Sequence, residues 1–169
     1  MVEKAKRDVS QAKKERPPFA PPEPVEANWP KVRKYLIDER KLPSDMIDKM
    51  HQKGDIYADN RRNAVFLTRD PSGQPTGAEL KGTAGTFAGL APGSLKDSGS
   101  FRIGRLTAKV VYLVESAIDA LSLFAIRTKT GDTSLCVISA AGSSPRPPIA
   151  ISNALWSESQ KYNAYDADE

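Results

Sequence analysis

The chain has 169 residues, a formal net charge of +4, one cysteine and one histidine, which suits one medium domain or two small ones. A single Cys and a single His exclude a zinc finger and disulfide stabilisation within the chain, as expected in a reducing cytoplasm. No apolar stretch approaches the ~18 residues of a membrane span, and the charged N-terminus lacks an apolar signal core. We therefore expect a cytoplasmic protein without a membrane partner.

The charge is distributed unevenly along the chain. Residues 29–105 carry fourteen basic and nine acidic side chains, whereas residues 106–169 carry five basic and seven acidic ones. A basic middle beside an acidic end suits nucleic acid on one part and a metal ion on the other. Ordinary solvated charge is the alternative interpretation, and charge alone does not choose between them.

Proline dominates the segment before the first predicted helix. Five prolines fall between residues 17 and 24, and such a segment sustains neither a helix nor a sheet. After a charged, weakly helical start, we expect residues 1–28 to form a disordered, Pro-rich linker.

A small α+β module of two helices and a β-hairpin is predicted over residues 29–105. Apolar residues at helical spacing predict a helix from Trp29 to Glu39, and Ser44 as N-cap predicts a second helix ending at Gly54. Strand-forming residues flank the strong turn signal of Asp70 to Pro75. The predicted strands are residues 56–58, 64–68, 76–81 and 101–103, with a loop over residues 82–100.

Residues 106–169 alternate strands and helices. Lys109 to Val114 is a continuous apolar run of the kind buried on both faces of a parallel sheet. The remaining predicted elements are a helix at 116–128, a strand at 135–138, a helix at 149–157 and a strand at 162–165. This alternation predicts a Rossmann-like, doubly wound parallel α/β domain.

Four carboxylates follow the predicted strands of this second module. Glu115 comes directly after the first strand and Asp119 lies one helical turn later, while Asp166 and Asp168 follow the third strand. Ligands bind beyond the carboxyl ends of such strands, and clustered carboxylates with Mg²⁺ suit phosphoryl chemistry. A D-x-D pair alone is typical of an exposed turn, and a Glu at a helix start is a favourable dipole charge. The combination favours a metal site.

These residues also carry a family resemblance. Residues 111–122, which contain Glu115 and Asp119, resemble the first motif of the toprim domain of bacterial primases, type IA and II topoisomerases and some nucleases. Residues 163–169 resemble its second, D-x-D motif. Residues 29–104 are similar to the domain that commonly precedes toprim in primase-like proteins of plasmids, mobile elements and cyanobacteria. The matching stretches are residues 35–40, 56–59, 63–67, 77–82 and 89–94.

The resemblance implies roles for the acids. Glu115 would be the catalytic acid/base or a metal ligand, Asp166 and Asp168 metal ligands, and Asp119 a further ligand found in the primase branch. The turn from Ser139 to Ser144 would be the family's glycine-containing loop. The implied cofactor is Mg²⁺ or Mn²⁺, with no zinc bound in this chain. Implied partners are single-stranded DNA or a primer–template, nucleoside triphosphates, and replication or mobilisation proteins.

Two parts of the family pattern lie outside this chain. The toprim fold continues after D-x-D with a helix and a strand, and related primases carry a Cys/His zinc finger upstream. We therefore expect a fragment of a longer protein, with a C-terminally incomplete toprim domain and a frayed metal site.

Basic residues of the middle module are candidates for contact with nucleic-acid phosphates, which receive most protein–nucleic acid hydrogen bonds. The candidates are Lys81, Arg61, Arg62, Arg102 and Arg105. Lys81 leads because it ends a hairpin strand beside a Gly-rich loop, although surface solubility is the alternative for each residue. The spacing of Trp29, Tyr35 and Phe66 favours the core over base stacking, and Cys136 reads as a buried apolar residue.

Three functions remain open at this point. The first is a Mg-dependent, primase-like nucleotidyl transfer in plasmid or mobile-element replication. The second is nuclease- or topoisomerase-like strand breakage, although nothing marks Tyr57, Tyr112 or Tyr165 as a nucleophile. The third is a non-catalytic nucleic-acid-binding remnant. A fold by itself does not choose among them.

Overall fold

The computed structural model describes residues 18–142, 146–155 and 157–164. Several predictions therefore lie outside the described residues: the charged start of the chain, the end of the Ser139–Ser144 turn, Tyr165, and the two acids Asp166 and Asp168.

The described part of the Pro-rich segment differs from the expected disordered linker. The Tyr57 hydroxyl donates a hydrogen bond to the Pro22 carbonyl at 2.8 Å, and the Val25 amide donates to the Ala58 carbonyl at 2.8 Å. Phe19 packs against a buried cluster on the first sheet, and Glu26–Asn28 form a 3₁₀ turn. Because the sheet supplies partners for its backbone groups, this segment is ordered without a strand of its own.

The first predicted helix consists of two consecutive segments, one α-helical and one π-helical. The helix α1 spans Trp29–Lys34 and has a proline in its first turn, where the missing N–H costs nothing. A π-helical turn, Tyr35–Glu39, continues it and ends where the Arg40 amide donates to the Tyr35 carbonyl at 3.0 Å. The apolar spacing predicted a helix over these residues but did not predict the change from α-helical to π-helical geometry.

The second helix, α2, spans Ser44–Gln52. Ser44 was predicted as its N-cap, and this is wrong because Pro43 occupies that position. Pro43 is extended, with φ −60° and ψ 128°, and makes no side-chain capping bond. A proline fixes φ and so sets the extended entry to the helix, which makes Ser44 the first helical residue. Among the described residues, no helix is long and apolar enough to cross a membrane.

The first sheet is antiparallel with the order β1-β2-β3-β4. Its strands are β1 Ile56–Ala58, β2 Asn63–Arg69, β3 Pro75–Gly82 and β4 Ala88–Leu90. The first three confirm the prediction within a residue or two at their ends. The strand β4 lies in the expected loop, and it was missed because its three residues are all exposed and show no apolar alternation. It pairs with Glu79, Leu80 and Lys81 through the backbone.

The second sheet has the order β5-β7-β6-β8. Its strands are β5 Arg102–Gly104, β6 Val110–Val114, β7 Leu135–Ser139 and β8 Gln160–Asn163. The strands β6, β7 and β8 are parallel, whereas β5 pairs antiparallel with β7. The helix α3, Ala117–Lys129, links β6 to β7, and α4, Ile149–Ala154, lies between β7 and β8. The predicted mixture of α and β is confirmed, while β8 begins two residues earlier than expected.

A single hydrophobic cluster joins the two sheets. It contains residues of α1, α2, β1 and β2 together with residues of β5, β6, α3 and β7. The rings of Phe66 and Phe101 meet edge to face at 5.4 Å between centroids, a favourable aromatic geometry. A second cluster on the other face of the second sheet includes Cys136 and Ile151 of α4. Helices therefore cover both faces of that sheet, and the shared cluster fixes its position against the first.

Candidate functional site

A cavity of about 420 Å³ lies between the β3–β4 hairpin and the turn from β6 into α3. It is lined by Arg40, Phe66, Glu79, Leu80, Lys81, Ala88, Gly89, Leu90, Glu115, Ser116, Ala117, Ile118, Asp119, Ala141 and Gly142. The first sheet thus contributes one wall and the second sheet the other.

The acidic wall is the turn at the carboxyl end of β6. Glu115 directly follows the strand and is exposed, and its carbonyl accepts a hydrogen bond from the Gly142 amide at 2.9 Å. Ser116 is the N-cap of α3. Its hydroxyl accepts from the Asp119 amide at 3.3 Å and donates to Asp119 Oδ2 at 2.6 Å. Asp119 is therefore partly committed to capping the helix, and it shares the cavity with Glu115.

The cationic wall comes from the first module. Lys81 is half-buried on β3, and Arg40 follows the π-helical turn and is exposed. Side chains two residues apart on a strand share one face, and Glu79 and Lys81 both line the cavity. The structure thus brings Lys81, Glu115 and Asp119 together, and it adds Arg40, which the sequence did not single out.

Glu79 is the unexpected member of the site. It is 8% exposed, and its Oε2 accepts a hydrogen bond from the Ala117 amide at 2.9 Å. Burial raises the pKa of Glu79 from 4.5 to about 7, opposed by the Ser139 hydroxyl, the Ala117 amide and the charge of Lys96, and aided by the charge of Asp119. Its Oε1 is buried and accepts no hydrogen bond of standard geometry within the described residues.

The loop after β7 closes the far side of the cavity. Ala141 has φ +53° and Gly142 φ +131°, and the Ala141 amide donates to Ser139 Oγ at 3.0 Å. The ideal Cβ position of Gly142 lies 3.2 Å from Lys96 Nζ, so a lysine of the first module reaches this loop. This is the described part of the predicted glycine-containing turn.

The other predicted basic residues lie outside the cavity lining. Arg61 and Arg62 are exposed in the turn between β1 and β2, and Arg105 is exposed just after β5. The guanidinium of Arg102 donates to the carbonyls of Arg69 at 2.7 Å and Asp70 at 2.9 Å, and burial lowers its pKa. Arg102 therefore stabilises the β2–β3 turn, whereas the three exposed arginines are open to solvent.

The donor set of the cavity fits a hard cation in part. Within residues 18–142, 146–155 and 157–164, no group of three or more His, Cys, Asp or Glu residues gathers at metal-binding distance. Mg²⁺ nevertheless commonly uses only one or two carboxylates and completes its shell with waters and substrate phosphates. Glu115 and Asp119 supply such a pair, and Asp166 and Asp168 lie outside the described residues.

The residues predicted to belong to the core are buried. Trp29, Tyr35 and Phe66 are at most 8% exposed, which confirms their assignment to packing. Cys136 is fully buried in β7, and burial raises the pKa of its thiol to about 12. A thiol held protonated in this way is not a nucleophile.

Comparisons with known proteins find similarity mainly over the first module. Residues 34–108 match the family described as "Protein of unknown function (DUF3991)". The chain is 36% identical over 113 residues to a "65 kDa protein" of Zymomonas mobilis, covering 65% of this chain and 18% of that protein. It is 37% identical over 57 residues to an uncharacterized protein of Bacillus anthracis, pXO2-78, covering 34% of this chain and 16% of that protein. The chain thus spans less than a fifth of either relative, and the acidic turn at Glu115 follows the matched family segment.

Proposed function

We propose that this chain carries part of a Mg-dependent toprim enzyme acting on nucleic acid, most consistent with primase-like nucleotidyl transfer in plasmid or mobile-element replication. The observation that carries the proposal is the cavity in which Glu115 and Asp119 lie opposite Lys81. The plasmid-associated relatives support the mobile-element context.

Each wall of the cavity has a part in this proposal. Glu115 and Asp119 hold the cation, with Asp166 and Asp168 as further ligands beyond the described residues. When bound, Mg²⁺ polarises a phosphoryl oxygen and neutralises developing charge. Lys81 and Arg40 bind the phosphates of the nucleic acid or nucleotide, and a guanidinium can do so through two parallel hydrogen bonds. Phosphate contacts of this kind position a substrate without reading its sequence.

Cation binding is tested first, on the full 169-residue chain, with Mn²⁺ as the probe and water proton relaxation as the readout. We expect Glu115→Gln and Asp119→Asn each to weaken Mn²⁺ binding by more than the roughly tenfold typical of losing an outer-shell partner. The matched control is Glu158→Gln, which removes the same charge from an exposed position. If Glu115→Gln and Glu158→Gln bind Mn²⁺ equally, the metal site is refuted.

The reaction is tested on labelled single-stranded templates with Mg²⁺ or Mn²⁺ and nucleoside triphosphates. New or extended strands support nucleotidyl transfer, whereas shortened strands support nuclease-like breakage on the same fold. Binding without either product supports a non-catalytic module. In each case Lys81→Ala is expected to weaken DNA binding. Lys129→Ala is the control, because Lys129 is the last residue of α3. It lies about 18 Å along the helix axis from Ala117, the helix residue at the cavity.

A further inference from the structure

Glu79 is one of two buried carboxylates among the described residues, and the two differ in how their oxygens are used. Asp59 is 5% exposed. Its Oδ1 accepts hydrogen bonds from the amides of Arg61 and Asn63, and its Oδ2 accepts from Asn63 Nδ2, all at 2.8 Å. Asp59 is thus explained by the turn it stabilises. Glu79 uses Oε2 for a hydrogen bond to the other module, whereas its buried Oε1 accepts no bond of standard geometry among the described residues, and the nearby Ser139 hydroxyl offsets part of its burial. A buried carboxylate so weakly satisfied calls for a reason.

The bonded oxygen of Glu79 reaches across the cavity to the other module. Its partner, Ala117, is 38 residues away in sequence and is the first residue of α3. Ala117 lies between Glu115, which precedes the helix, and Asp119 in its first turn. One carboxylate on β3 therefore holds the turn that carries both acids of the proposed metal site.

The same strand carries the cationic wall. Lys81 lies two residues after Glu79 on β3, on the same face, and both residues line the cavity. Any change in the distance between β3 and the start of α3 changes the distance between Lys81 and Glu115. A carboxylate at a helix N-terminus is also favoured by the helix dipole, so the bond is suited to fixing this distance.

We propose that Glu79 is the positioning residue of the cavity: it fixes the first turn of α3 against β3 and so aligns the acidic wall with the cationic wall. This inference rests on the proposed function for the roles of Glu115 and Lys81. It assigns no chemical step to Glu79, and it makes alignment depend on an acceptor oxygen at position 79.

Two substitutions at Glu79 separate the acceptor from the charge. Glu79→Gln keeps an oxygen for the Ala117 amide and removes the charge. Glu79→Leu keeps a similar volume and removes both oxygens. We expect Glu79→Gln to retain the protection of the Ala117 amide against hydrogen exchange. We expect Glu79→Leu to lose up to about tenfold of this protection, the scale of a single hydrogen bond to an uncharged acceptor, with unchanged far-UV circular dichroism.

The ligand readouts distinguish positioning from a merely structural role. Under conditions where each variant is fully folded, Glu79→Leu is expected to weaken Mn²⁺ binding at Glu115 and single-stranded DNA binding at Lys81 together. Glu79→Gln is expected to keep both affinities within about twofold of the unmodified chain, as a change that retains the hydrogen bond. Folded Glu79→Leu with unchanged affinities overturns the proposal, and so does Glu79→Gln with losses equal to those of Glu79→Leu.

A third variant removes the donor. Ala117→Pro deletes the amide hydrogen at the first helical position, where proline is tolerated. The preceding residue, Ser116, is already extended with φ −132° and ψ 164°, as a residue before proline requires. If Glu79 acts through this bond, the effect of Glu79→Leu on amide exchange in the first turn of α3 disappears in the Ala117→Pro background. Fully additive effects overturn the proposal.

Failure of the metal site leaves this test intact. If Glu115→Gln does not change Mn²⁺ binding, the proposed function fails. The exchange measurements and the Glu79–Ala117 cycle then still decide whether Glu79 fixes α3. If Glu115→Gln weakens Mn²⁺ binding but Glu79→Leu does not, the metal site stands and the positioning role falls.

Discussion

The buried carboxyl of Glu79 makes the stability of the fold depend on pH. Burial raises its pKa from 4.5 to about 7, so the folded state retains a proton that the unfolded state releases between these values. Stability therefore falls as pH rises, because the folded chain binds more protons over this interval. The protonated Glu79 side chain therefore makes its full contribution to folding stability below about pH 4.5, and this contribution is lost as pH rises through about 7.

The size of the effect follows from the pKa difference. Each pKa unit corresponds to about 1.4 kcal/mol, so raising the pKa from 4.5 to about 7 weakens the fold by about 3 kcal/mol between pH 4.5 and pH 8. Glu79→Gln does not titrate. We therefore expect the free energy of unfolding of the unmodified chain to fall by about 3 kcal/mol relative to that of Glu79→Gln over this interval.

Urea unfolding of both proteins at half-unit pH steps measures this difference. Groups other than Glu79 contribute equally to both curves, so the comparison isolates Glu79 from the exposed carboxylates. A constant offset between the two curves, whatever its size, would refute the reasoning, because an offset reports packing whereas only a change with pH reports the titration. Glu158→Gln serves as the exposed control, and its curve should run parallel to that of the unmodified chain.

Three further predictions concern local structure. Gly104→Ala should destabilise the fold by more than about 2 kcal/mol, because φ is +99° and an added Cβ would collide with the Leu135 carbonyl oxygen. Gly131→Ala has the same φ with open space around it and should cost only the backbone strain, which urea unfolding of the pair will show. Ser116→Ala removes the N-cap hydroxyl of α3 and should cost about 1 kcal/mol; a thermal melt with no shift contradicts the capping role. Cys136, with a pKa near 12, should resist thiol reagents at pH 8 until urea unfolds the chain, and rapid native labelling would contradict its burial.

Elements with a continuous apolar pattern were predictable. All five residues of β7, Leu135–Ser139, are buried, as the apolar run indicated for a strand covered on both faces. The edge strand Ala88–Leu90 is fully exposed and pairs through backbone groups that every sequence possesses. The composition of this strand therefore gave no signal of a strand, and the Gly/Ser-rich composition of residues 82–100 predicted a loop instead.

The candidate site divides in the same way. Glu115 and Lys81 could be predicted from the sequence because each lies at the end of a predicted strand, a position that is typical of functional residues. Glu79 was not accessible, since strand alternation with Ala78 and Leu80 assigns its side chain to solvent. Its hydrogen-bond partner, Ala117, is 38 residues away in sequence, and no local pattern encodes a contact at that separation.

The strand β5 has a consequence for how such proteins diversify by recombination. Residues 102–104 lie within the segment that matches the DUF3991 family, yet they pair with Val137 and its neighbours in the second sheet. A crossover that exchanged the sequence after residue 108 would bring in a foreign β7 against a resident β5. A folded hybrid would require that the incoming β7 matches the surface of β5 and lies against Gly104 as closely as the present strand does. The two segments are therefore expected to be inherited together, with co-varying residues along this strand pair.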